Sequence, residues 1–519
     1  MPAHSFLPIA VALAALLGAT ITQAQPRQSP SSPTPSKGRA EATAPDPIAL
    51  TATEVARAFC AGRLSSERLV SAYLGRISTH KSLNAFITVD ERGALAAARD
   101  ADAARKPGAP CGPLAGVPIV VKDNIHVRGL ALTAGTPALK DFVPKEDAPV
   151  VASLRSAGAI ILGKTHMHEL AFGITGYNPS FRTSNVVGVR NAYDPSRVAG
   201  GSSSGTGVAV AARLAPAGLG SDTGGSVRIP CAFNGCAALR PTVGRYARDG
   251  ITPISHTRDT AGPMAVSMAD VALLDRVIVG GEAVRPATLK QVRLGIVAAL
   301  HADLDADTRA VTQAALAKLR AAGATLVDIE MPELMERSAA VGFPVVLYEV
   351  HDDLIGYLAR YEAGIGIAKL AAGILSPDVK QVFDGFVLPR KLPIPGGGTA
   401  DARPAYERAM QTERPALQML YRETFSRHRI DALVFPTVPR IAPLATPAAS
   451  SPEIFEVTIR NTDPGSNAGI PGIQVPAGLG AESKLPVGLA FDGPAGSDRR
   501  LLAIGLAVER VLGRLPPAN

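Results

Sequence analysis

Three short stretches hold the residues best able to do chemistry. "AGGSSSGTGVAVAARLA", Ala199 to Ala215, crowds serines into a turn and then enters a small-residue helix pattern, with Val208, Ala211, Ala212 and Ala215 at helical spacing. Backbone N–H groups at such a helix start are free to bind something anionic, although a capped turn has the same composition. "GLGSDTGGSVRIP", residues 218–230, places Ser226 behind Gly224 and Gly225, whose unhindered amides can point at a developing oxyanion. Serine alone is a weak nucleophile and needs a group to take its proton. "VPIVVKDNI", residues 117–125, puts Lys122 directly after an apolar strand. An ordinary lysine pKa near ~10.4 leaves the amine charged at neutral pH, and burial lowers it, so Lys122 suits a base; a strand-end lysine reaching solvent is the plain alternative.

Three further patterns imitate other chemistries. Gly158 to Thr165, "GAIILGKT", has the letters of a phosphate-binding loop, but its middle is an apolar strand rather than a flexible cradle. His166 and His168 in "HMHE" could start a metal site, yet His256, His301, His351 and His428 show no ligand spacing to complete it. "GSSSG", Gly201 to Gly205, fits a hydrolase elbow with Ser203 as nucleophile and His428 as base. That elbow needs a preceding strand, and "RNAYDPSRVAG" is polar and turn-rich.

The elements that must position these residues alternate. Helical patterns ("TATEVARAFCAGRL", "SSERLVSAYLGRI") precede a strand "NAFITV", then strands "VPIVV" and "AIILG" alternate with helices. The alternation returns after residue 290 and again in "ALVFPTVP", "LPVGLAFDG" and the closing helix "DRRLLAIGLAVERVLG", whereas 335–430 reads as mostly helical around a Pro/Gly-rich loop "LPIPGGGTADARP". Such a pattern predicts an α/β layer architecture with a covered sheet, and no internal repeat or clean domain boundary interrupts it.

Composition agrees: 519 residues, 46% apolar and 19% charged, describe an ordinary globular chain with room for a large core. The net charge of +8 is spread out, with no dense basic block and few aromatics, so nucleic-acid binding has no footprint. Residues 1–24 read as a signal peptide, with an apolar "FLPIAVALAALLGATI" and a small-residue ending before Gln25, although Lys and Arg are missing from its start. Residues 25–47 read as a Pro/Ser/Ala-rich leader, and the folded domain is expected over 48–515, in the periplasm or secreted and off the membrane once the signal is removed. Cys60, Cys111, Cys231 and Cys236 allow three pairings or free thiols, and nothing in the sequence chooses among them.

Taken together, "PLAGVPIVVKDNI", "AGGSSSGTGVAVAARLAPAGLGSDTGGSVRIPCAFNGCAALRPT" and the later "FPT" and "LPVGLAF" resemble the amidase signature family, most closely over residues 112–245. The resemblance implies one large α/β domain with a central mixed sheet covered by helices on both faces. It implies a Ser226 nucleophile, a bridging Ser202 with a cis bond to Gly201, and Lys122 as base, with Ser203 in support. Thr223, Gly224 and Gly225 match the oxyanion-binding backbone, while Arg228 and Asp222 match bracing positions. Neither metal nor organic cofactor is implied. "MHELAFGIT" and "RNTDPGSNAGIPGIQVPAG" look like the arylacetamide-hydrolysing subgroup, which implies a small-molecule amide substrate and a pocket near Phe172, Ile174 and Thr175. The loop 176–190 is longer than that subgroup's, leaving a peptide C-terminal amide or an aryl amide as alternatives. A monomer or homodimer is expected, and a glutamine amidotransferase subunit is disfavoured for a secreted chain.

Overall fold

The structure, a computed structural model, describes residues 46–106, 110–183, 185–394 and 396–518. Its strands are β1 (Phe86–Val89), β2 (Pro118–Lys122), β3 (Ile160–Thr165), β4 (Ala217–Asp222), β5 (Ala237–Arg240), β6 (Thr260–Ala265) and β7 (Arg293–Val297). They continue as β8 (Thr325–Ile329), β9 (Lys391–Pro393), β10 (Thr399–Asp401), β11 (Ala432–Pro436), β12 (Gly472–Leu479) and β13 (Pro486–Asp492). Among the described residues, eleven strands make one sheet in the order β1-β3-β2-β4-β6-β5-β12-β13-β11-β7-β8. The sheet is mixed: β2 runs parallel to β3 and β4, while β4 pairs antiparallel with β6 and β12 with β13.

Helices cover both faces. On β12, a Cβ on Gly472 would meet Arg228 of the helix Arg228–Asn234, while Ile473, the next residue and so on the other face, touches Gly505 of the helix Asp498–Leu512. β2, "PIVVK", is buried along its whole length, as a β-branched strand flanked by parallel neighbours should be. The described residues therefore form one α/β unit around this sheet, with a second apolar cluster beside it where the helix Leu334–Arg360 packs on Leu132, Phe142 and Phe383.

Several local readings differ from the sequence expectation. β4 lies inside the Gly/Ser stretch, where composition hides it; its Gly218 admits no side chain because a Cβ would sit 2.7 Å from Val120 and 2.9 Å from Thr206. Small residues are what let the helix Ser204–Ala211 press on the sheet. The segment "LPIPGGGTADARP" is a short antiparallel hairpin, β9–β10, rather than a loop alone. Folded structure begins within the expected leader, since Asp46 caps the turn Pro47–Ala49, and it runs past residue 515, where Pro516 accepts from Tyr193 Oη at 2.6 Å and Ala518 N–H donates to Ala211 at 3.3 Å. The signal peptide reading, residues 1–24, and the leader up to residue 45 lie outside the described residues. Two disulfides, Cys60–Cys111 and Cys231–Cys236, resolve the open pairing.

Candidate active site

Lys122 ends β2 with no exposed surface, and its Nζ lies 2.7 Å from Ser202 Oγ, 2.8 Å from Ser221 Oγ and 3.5 Å from the Ser221 carbonyl. Asn124 Nδ2 donates to the same Ser221 Oγ at 3.0 Å. Among the described residues, no carboxylate touches the amine. Burial therefore dominates and pushes the Lys122 pKa down to about 7, against an opposing pull from Asp222 and Asp259. A neutral amine has two N–H groups and one lone pair. Because the Ser221 carbonyl can only accept, the two N–H groups can go to Ser221, leaving the lone pair for the Ser202 hydroxyl.

Ser202 follows a cis peptide bond from Gly201, and its carbonyl accepts from His168 N–H at 3.1 Å. Ser203 stitches three pieces together: its N–H donates to the Ser226 carbonyl at 3.1 Å, its Oγ donates to the Ser221 carbonyl at 3.1 Å, and that Oγ accepts from Ser221 N–H at 3.3 Å. The serine turn is thereby fixed against both β4 and the Ser226 peptide.

Asp222, at the end of β4, shapes the loop that carries Ser226. Its carboxylate accepts from Gly225 N–H at 2.7 Å, from Val227 N–H at 3.1 Å and from Arg228 Nε at 3.3 Å. Burial raises the Asp222 pKa, but Arg228 and Arg240 outweigh it and hold the carboxyl below its usual range. Arg228 also reaches Ser466 Oγ at 2.7 Å and Asp492 at 3.5 Å, locking the loop to the helix Asp463–Ala468 and to β13. Asp492, buried with the same two arginines opposing its burial, has its pKa raised to about 6.

The loop's carbonyls are all held: Thr223's by Arg258 Nε at 3.2 Å, Gly224's by Thr462 Oγ1 at 2.7 Å, Gly225's by Ile229 N–H at 2.8 Å and Ser226's by Ser203 N–H at 3.1 Å. Thr223 Oγ1 donates to buried Asp259 at 2.6 Å. Among the described residues, the N–H groups of Thr223, Gly224 and Ser226 have no acceptor, whereas Gly225 gives its N–H to Asp222. The free donor set is thus Thr223, Gly224 and Ser226, with Ser226 replacing the expected Gly225. Gly225 serves the turn by its conformation, φ +140°, and by size, since a Cβ would sit 2.3 Å from Thr462 Oγ1.

Of the expected pocket residues, Ile174 and Thr175 have backbone atoms about which a Cβ on Gly201 would lie at 3.0 and 3.1 Å, so they flank the serine turn. Phe172 lies apart, its ring 5.3 Å from Phe383. Within the expected long loop, 176–190, the Gly188 carbonyl accepts from Asn84 at 3.1 Å and Thr183 Oγ1 donates to Asn84 at 2.8 Å.

The competing patterns come apart. Gly158–Thr165 is mostly β3, with Lys164 buried in an ion pair to Asp123 at 3.1 Å. His166 accepts from Met167 N–H and faces the Ser180 carbonyl, while His168 accepts from Gly176 N–H and faces Asp378 at 3.1 Å. Both rings are therefore engaged with protein groups on separate sides. Ser203 follows an irregular segment rather than a strand, and His428 ends a helix beside β7. His256, Glu349 and Asp353 approach one another, but Glu349 already accepts from Ser255, Thr257 and Tyr406. Sequence reasoning missed Ser221, Asn124, Asp259 and Thr462; the first two sit inside the quoted motifs, and the others reach the site only through folding.

The family model described as Amidase matches residues 68–502. Mandelamide hydrolase of Pseudomonas putida is 49% identical over 467 residues, covering 90% of this chain and 92% of its own. Indoleacetamide hydrolase of Agrobacterium vitis is 40% identical over 456 residues, covering 86% and 93%. The solved structure of native peptide amidase from Stenotrophomonas maltophilia superposes with a TM-score of 0.77 at 32% identity, covering 90% of this chain and 98% of that one.

Proposed function

The chain belongs to the amidase family and is an amide C–N hydrolase, and on that premise we propose that it cleaves small aryl or arylacetamide-type carboxamides through an acyl-enzyme on Ser226. One observation carries the catalytic assignment: Lys122, fully buried with no carboxylate in contact, lies 2.7 Å from Ser202 Oγ. An amine with a pKa of about 7 is neutral in a large fraction of molecules at physiological pH and can accept a proton.

In this reading the Ser226 hydroxyl proton passes to Ser202 as the Ser202 proton passes to Lys122 Nζ. Ser226 Oγ bonds to the amide carbon, and the carbonyl oxygen becomes an oxyanion facing the Thr223, Gly224 and Ser226 N–H groups. The C–N bond then breaks while the proton returns through Ser202 to the leaving nitrogen, releasing ammonia. Water enters with the same relay as base, and the carboxylic acid leaves. Asp222 and Arg228 act by holding the loop, Ser203 by holding the turn.

The aryl preference draws on what the two most similar relatives above are named for, mandelamide and indoleacetamide hydrolysis. A second reading, hydrolysis of a peptide C-terminal amide, draws on the fold shared with the peptide amidase. Ammonia release from mandelamide, indoleacetamide, benzamide, an amidated dipeptide and glutamine separates them. The first reading expects the aryl compounds to lead; a lead for the dipeptide amide favours the second, and a lead for glutamine contradicts both. Secretion or a periplasmic location belongs to the same proposal, supported by the apolar start of the chain and by two disulfides, which persist in oxidising compartments. Cell fractionation with N-terminal sequencing of the mature protein checks it; an uncleaved cytosolic protein contradicts it.

A further inference from the structure

Phe343 is half exposed at 51% of its surface, the one aromatic among the large apolar side chains left open in the described residues. It stands on the helix Leu334–Arg360 beside Pro344, and its ring lies 5.9 Å from that of Phe455, tilted by 34°. Phe455 belongs to a different helix, Pro452–Ile459, in which Ile459 follows by four residues and so shares its face. Ile459 in turn abuts the oxyanion loop, since a Cβ on Gly224 would lie 2.9 Å from its Cδ1. Apolar side chains therefore link half-exposed Phe343, through Phe455 and Ile459, to the backbone that would receive the reacting carbonyl.

Both helices are fastened to that loop. Gly342, the neighbour of Phe343, accepts from Arg258 Nη1 at 3.2 Å, and the same arginine holds the Thr223 carbonyl at 3.2 Å. Thr462, just beyond the second helix, holds the Gly224 carbonyl at 2.7 Å. The aromatic pair is thus placed in fixed relation to Thr223 and Gly224 rather than on a free surface. Of the expected pocket residues, Ile174 belongs to the cluster against which Phe455 and Ile459 pack.

We propose that Phe343 and Phe455 form the wall that receives the aryl group of the substrate and that they set the preference for aryl over short aliphatic amides. The inference rests on the aryl reading above and deepens it. Tilted and edge-on aromatic contacts favour a third ring over an alkyl group, and an apolar pocket contact discriminates by about tenfold or more.

The test compares mandelamide with lactamide, in which methyl replaces phenyl while the reacting carboxamide and the hydroxyl stay the same. In Phe343→Leu and in Phe455→Leu, the ratio of kcat/KM for mandelamide over lactamide is expected to fall by about tenfold, with lactamide changed by less than about twofold. Phe343 is half exposed, so its substitution disturbs little beyond its contact with Phe455, and a thermal melt on each variant verifies folding. A wild-type preference for mandelamide that survives both substitutions, or equal losses on both substrates in folded variants, overturns the wall. A wild-type enzyme that hydrolyses lactamide as well as mandelamide overturns the aryl reading itself and the wall with it.

Discussion

Lys122 and Lys164 are two buried lysines on adjacent parallel strands, yet their surroundings are opposite. In the β2–β3 register Lys122 pairs with Thr165 and Val121 with Lys164, so the two amines leave on opposite faces of the sheet. On one face Lys122 meets only neutral oxygens, those of Ser202 and Ser221. On the other, Lys164 meets the Asp123 carboxylate at 3.1 Å, and that carboxylate also accepts from Thr133 N–H at 2.9 Å. Burial lowers both pKa values, but at Lys164 a charge in direct contact pulls back, whereas the carboxylates opposing burial at Lys122 make no contact with its amine. Burial makes a base only where the partner is neutral; with a carboxylate in contact, the same residue becomes a structural ion pair.

The largest expected effect separates the two by activity. Lys122→Met lowers kcat by about a thousandfold or more, because the Ser226–Ser202 relay loses its final proton acceptor, while the melting temperature holds or rises as a buried amine with no carboxylate in contact is removed. Lys164→Met does the reverse: it strands Asp123 in the interior and costs about 3–5 kcal/mol of stability by denaturant unfolding. Its folded fraction keeps the wild-type pH profile. If Lys164→Met were stable and slow, the two sites would not be distinct in the way described.

A pH profile sharpens the contrast. Lys122 works deprotonated, and deprotonation increases with pH, so kcat/KM should rise about tenfold per unit below a midpoint of about 7 and level off above it. A midpoint near the ordinary lysine value would mean that burial is not controlling the amine. The smallest effect comes from Ser221→Ala. Removing a hydroxyl that favours the charged amine lets the Lys122 pKa fall further, moving the midpoint to lower pH by less than about one unit. A shift to higher pH would contradict the assigned hydrogen bond.

Much of this site was readable before folding, because its parts are local. Lys122 closes a β-branched strand, Ser202 and Ser203 open a helix, and Ser226 lies four residues after Asp222. What escaped was of two kinds. β4 is built of "AGLGSD", in which glycines chosen to admit a helix erase the strand signature. Asp259, Arg258, Thr462 and the Phe343–Phe455 pair are separated in sequence from the loop they hold or face, and no periodicity reports such contacts. The donor exchange of Gly225 for Ser226 was also illegible, since it depends on where one Asp222 oxygen points.

The most direct measurement of the central claim is the rate of covalent labelling by a fluorophosphonate, which reacts with an activated serine without needing the right acyl group, followed across pH and mapped by peptide mass. The account predicts a single adduct on Ser226, forming faster as pH rises through about 7, with that dependence abolished in Lys122→Met. An adduct on Ser202 or Ser203, or an unchanged pH dependence in Lys122→Met, would contradict it.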